Sequence, residues 1–80
     1  MQLREAINKK IMTLCEESGY SINSLANMAG IPPTTLYSMF DGKCKNPGIK
    51  TIKILCDFFE ISIRDFFNGE LFNDIDKGFE

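Results

Sequence analysis

Apolar residues in the first eighteen positions recur at helical spacing. Leu3, Ile7, Ile11, Leu14 and Cys15 fall on one side, with Glu5, Asn8, Lys9, Lys10 and Glu16 elsewhere around the wheel. Such a stripe predicts an amphipathic helix, and Gly19 ends it. The pattern restarts at Ser21, a residue type whose side-chain oxygen satisfies free N–H groups at a helix start. Tyr20 before that cap and Leu25 after it form a hydrophobic staple. This second helix runs through Ala29, with Gly30 as its left-handed terminator. Pro32 drives Ile31 into an extended conformation. Pro33 suits the first turn of a third helix, where a missing N–H costs nothing. That helix reaches about Phe40 and buries Leu36 with Met39 or Phe40.

"DGKCKNPG", residues 41–48, reads as an exposed, lysine-bearing loop. Ile49, Ile52, Leu55, Cys56 and Phe59 predict a fourth helix beyond it. Ser62 caps a fifth, with Asp65 as capping-box partner and Ile61 and Phe66 as a staple. Ile54 and Phe58 make an extra apolar pair that needs a cover, from the tail "NGELFNDIDKGFE" or from a second subunit. The expected architecture is all-α. A compact five-helix domain spans residues 1–67, and an acidic, aromatic tail occupies 68–80.

The corner between the second and third helices has a specific composition. Leu25, Ala26 and Ala29 precede Gly30, and Ile31, Leu36 and Met39 follow it. Two helices crossing steeply through a short turn need a small residue at the crossing, a glycine in the turn and bulky apolar residues inside. Any side chain larger than alanine at position 26 would hold the helices apart. The stretch "SLANMAGIPPTTLYSMF" resembles the helix-turn-helix family of the phage Cro and repressor (Xre) type. The resemblance continues through "NPGIKTIKILCDFFEISIRDFF" and covers roughly residues 5–67. It implies a lambda-repressor-like fold and a small transcriptional regulator, expected to be a repressor of double-stranded DNA targets.

The same resemblance implies that the third helix lies in the major groove. Its exposed positions would be Pro33, Thr34, Thr35, Tyr37, Ser38 and Asp41. Hydroxyls can bond base edges or phosphates, and threonine methyls can touch thymine methyls. The helix start also offers N–H groups to a phosphate. Lys43, Lys45, Asn46, Thr51 and Lys53 would grip the backbone, setting register while base contacts set sequence. Family members usually act as dimers on paired half-sites, so a homodimer is expected. Two departures stand out. Ile22 occupies a position where the family often has a phosphate-binding glutamine, and the third helix contains no Arg, Lys, Asn or Gln. Bidentate pairing to guanine or adenine is therefore absent from it, which shifts weight to the loop lysines and to DNA shape.

Charge supports this only once it is divided by region. The whole chain carries −2, with a pI near 5.0, which by itself argues against a polyanionic partner. Residues 19–53, however, hold Lys43, Lys45, Lys50 and Lys53 against Asp41 alone, while the acids concentrate after residue 54. The chain has no histidine and three scattered cysteines, so no zinc pattern fits. No nucleophile-and-base constellation or phosphate-cradling glycine loop appears, which argues against an enzyme and gives no cofactor to expect. Cys44 between two lysines leaves a redox role open. No apolar run suits a membrane span or a signal peptide, so a cytoplasmic protein is expected. A protein-interaction module docking through Phe72, Ile75 and Phe79 of the tail is the alternative.

Overall fold

The computed structural model describes residues 1–41 and 48–76. Five α-helices form within them: α1 (Leu3–Ser18), α2 (Ile22–Ala29), α3 (Pro33–Phe40), α4 (Ile49–Phe59) and α5 (Ile63–Phe66). A single 3-10 turn follows at Glu70–Phe72, and no strand occurs among the described residues.

Local chemistry sets most of these boundaries. The Ser21 hydroxyl accepts the Ser24 N–H at 3.1 Å, and the Ser62 hydroxyl accepts the Asp65 N–H at 2.9 Å. Each satisfies one of the donors that a helix start leaves without a partner. At the far end of α2, Gly30 takes φ +76°, the left-handed region in which a Cβ is strained. That twist lets the N–H groups of Gly30 and Ile31 both reach the Ala26 carbonyl, the latter at 2.9 Å. The chain thereby leaves α2 with the Ala26 carbonyl accepting twice and its direction changed. Helix α4 ends the same way without a glycine. Glu60 adopts φ +58°, and Ile61 N–H bonds the Cys56 carbonyl at 3.0 Å.

The core draws on every helix. Ile7, Ile11 and Cys15 come from α1, and Leu25 and Ala26 from α2. Leu36 and Met39 come from α3, Ile52, Leu55 and Cys56 from α4, and Phe66 from α5. Ile31 fills the corner between α2 and α3. Ala26 and Leu36 are both fully buried, as the steep crossing requires. Two apolar positions of the sequence reading lie outside. Leu3 and Ile49 are exposed because each begins its helix, beyond the reach of the packed layer, while Ala6 is buried on α1 instead.

Among the described residues, the tail docks on α1 and beside Phe66 of α5. Its 3-10 turn packs against α1. Phe72 joins Phe66 and Phe67 with ring centroids at 6.1 and 5.0 Å. Phe58 instead meets the edge of Tyr20, with centroids 5.5 Å apart. Tyr20, just before the Ser21 cap, thus shields Phe58 of α4. Burial raises the thiol pKa of Cys15 and Cys56, aided by Glu16 and Asp57 respectively and opposed at Cys56 by Lys53. Both thiols stay neutral and serve as small apolar fillers.

Because open space lies where a Cβ at Gly30 would go, Gly30→Ala isolates the conformational cost of the corner. It should lower unfolding free energy by roughly 1–2 kcal/mol. In urea titration the midpoint should fall while the slope stays unchanged.

Candidate nucleic-acid interface

Helix α3 starts without a side-chain cap. Pro32 precedes it in extended geometry and Pro33 is its first residue. Thr35 N–H already bonds the Pro32 carbonyl at 2.9 Å, and Pro33 has no N–H to give. The start of α3 therefore offers a narrower anion site than a typical helix, with the Thr34 N–H as the donor left over.

Leu36 and Met39 turn inward, and helical geometry then dictates what faces out. Thr34, Tyr37 and Asp41 recur at three- and four-residue spacing on the opposite side, with Thr35 exposed beside them. Ser38 and Pro33 are half-buried at its margins. Tyr37 leaves 49% of its surface uncovered. Among the described residues, the hydroxyls of Thr34, Thr35 and Tyr37 take part in no hydrogen bond and the Tyr37 ring in no ring pair. Thr34, Thr35 and Tyr37 thus form a row of hydroxyls that no other described residue hydrogen-bonds.

The inner side is anchored at both ends. The corner at Gly30 fixes the start. Near the C-terminal end, Asn8 Nδ2 on α1 donates to the Met39 carbonyl at 2.8 Å. Met39 lies in the last turn of α3, where carbonyls lose their intrahelical partners. Asn8 Oδ1 is buried with no partner of its own, so the contact is retained despite a desolvation penalty. In the sequence Asn8 reads as one polar residue among several on α1. The hint it carried is its poor helix propensity beside the buried Ile7.

The remaining candidates come from other elements. Thr51 is half-buried in the first turn of α4, and Lys53 is exposed on the same helix. Lys53 pairs with Asp57 one turn on. Such an exposed pair contributes only about 0.3–0.5 kcal/mol, little obstacle to a phosphate. Lys50, which the sequence counted only as charge, is exposed one turn before Lys53. Helix α4 packs on α2 and α5. Thr51 and Lys53 are thus positioned by a helix whose main packing is on α2 and α5. Lys43, Lys45 and Asn46, together with Cys44, lie outside the described residues.

Comparison with known proteins decides what kind of corner this is. The profile of the Cro/C1-type HTH DNA-binding domain matches residues 10–70. The chain belongs to this family. It is therefore a DNA-binding domain rather than an enzyme. The crystal structure of the prophage Lp1 protein 11 superposes on it with a TM-score of 0.81 and 33% sequence identity. That alignment covers 94% of this chain and 100% of the other. No curated protein matches significantly. The family match begins inside α1 and ends in the tail, so the helix-turn-helix is embedded in the whole Cro/C1-type arrangement. Among the described residues no helix is long and apolar enough to cross a membrane.

Asn8→Ala should remove the Met39 tie and cost about 1–2 kcal/mol in chemical denaturation. Asn8→Asp should cost more at neutral pH, where a carboxylate faces a carbonyl. Part of that excess should return in acid, where the protonated carboxyl can donate, as read against wild type at each pH.

Proposed function

We propose that this Cro/C1-type domain is a cytoplasmic transcriptional repressor that reads duplex DNA as a homodimer, with α3 in the major groove. Pro33, Thr34, Thr35, Tyr37 and Ser38 meet base edges and nearby phosphates. Lys43, Lys45, Asn46, Thr51 and Lys53 hold the backbone. One observation carries the reading: α3 is anchored on its inner side while its outer side keeps uncovered, unbonded hydroxyls. Such a row is open to the donors and acceptors of a groove.

Dimerisation follows from charge. Lys43, Lys45, Lys50 and Lys53 are the only cations between residues 19 and 53, and phosphate contacts supply most of the affinity for DNA. A two-fold axis doubles that grip and pairs two half-sites. The alternative, a protein-interaction module using the tail, is weakened because Phe72 is spent inside the aromatic cluster with Phe66 and Phe67.

Selection of bound fragments from a random duplex pool should enrich an inverted repeat. On that repeat, log affinity should fall linearly with log salt, with a slope of about −0.9 for each phosphate neutralised. The triple variant K43E/K45E/K53E should lose retention on DNA while remaining folded. Affinity indifferent to salt, or retention by the triple variant, contradicts the proposal.

A further inference from the structure

We infer that base discrimination by α3 rests on the 5-methyl group of pyrimidines, thymine above all, contacted by the methyls of Thr34 and Thr35 and the ring of Tyr37. This rests on the major-groove reading above and names the chemistry by which that groove is read.

The inference begins with what the outer side of α3 can distinguish. A guanidinium or ammonium selects acceptor pairs, and a carboxamide selects a donor beside an acceptor. None of those groups stands on α3. Its exposed polar groups are hydroxyls, and a hydroxyl rotates to donate or to accept. Thr34, Thr35 and Tyr37 can therefore hydrogen-bond to any base pair and reject none on that ground. Hydroxyls contribute affinity here; they contribute little choice.

Their apolar parts behave differently. Thr34 and Thr35 are both exposed, so each presents a γ-methyl beside its hydroxyl. Tyr37, one turn after Thr34, is about half exposed, and its ring is stacked on no other ring of the described residues. In the major groove the apolar feature that differs between base pairs is the thymine methyl. Covering it against another methyl removes both from water, an effect of about fourfold in affinity per methyl. Both threonines lie in the first turn of α3, the end of a recognition helix that meets base edges. A cytosine carrying a 5-methyl group presents the same apolar knob and should be accepted in place of thymine at the contacted step.

The test uses the duplex enriched by random-sequence selection, resynthesised with every thymine replaced by uracil. That change deletes the 5-methyl groups and keeps every donor and acceptor. Wild-type protein should bind the uracil duplex about four- to twentyfold more weakly. The double variant T34S/T35S keeps both hydroxyls and loses both methyls. It should match wild type on the uracil duplex and prefer the thymine duplex less than wild type does, by about fourfold for each threonine methyl that makes the contact, any remaining preference coming from the Tyr37 ring. Equal wild-type affinity for both duplexes overturns the inference while leaving the groove reading intact. So does a preference for thymine that persists undiminished in T34S/T35S, or an enriched duplex without thymine. Failure to enrich or bind any duplex overturns both readings together.

Discussion

Everything functional in this chain hangs on how the backbone turns at Gly30. The left-handed glycine brings the N–H groups of Gly30 and Ile31 back to one carbonyl, that of Ala26. Ala26 is itself fully buried, small enough for α3 to come close. Two proline residues then start α3 almost at once, with φ restricted before the helix begins. The angle between α2 and α3 is thus dictated by covalent geometry and steric contact rather than by any long-range attraction. Salt and pH, which alter charged contacts, have little purchase on such a corner. A DNA-binding domain gains from keeping its frame independent of the ions its polyanionic partner exchanges.

The division of labour on α3 follows from that frame. Leu36 and Met39 are committed to the core and Asn8 holds the far end, while the hydroxyls of Thr34, Thr35 and Tyr37 make no hydrogen bond among the described residues. They are free to be chosen for what they meet. The choice made here, hydroxyls and methyls without amide or guanidinium, makes a permissive hydrogen-bonding surface with an apolar bias. On the proposed reading, affinity then falls to cations on other elements, and Lys53 is open to a phosphate because its partner Asp57 binds it only at the surface.

Much of this was legible in the residues, and the reason is that the signals were local. Ser21, Ser62, Gly30 and the proline pair each act on neighbours within one turn, and each boundary they predict is where the structure places it. The α3 face was legible too, since helical spacing alone separates Leu36 and Met39 from Thr34 and Tyr37. What escaped involved contacts between distant segments. Asn8 looked like solvent-facing polarity on α1 because nothing in its neighbourhood announces the Met39 carbonyl thirty-one positions away. The Ile54–Phe58 pair calls for a cover from the tail or from a second subunit, yet an aromatic residue does not specify which aromatic it will meet. Phe72 found Phe66 and Phe67, and Tyr20 took the other task. Ile49 misled for a different reason: an apolar residue at a helix start sits on the stripe without sitting over the core.

The central claim is that the corner presents the outer side of α3 to the major groove. Nuclear Overhauser contacts between protein and a selected duplex address it most directly. Expected are cross-peaks joining the Thr34, Thr35 and Tyr37 side chains to major-groove base protons, with α1 and the 3-10 turn silent. Contacts confined to α5 and the tail, with the α3 resonances unmoved by DNA, would contradict it.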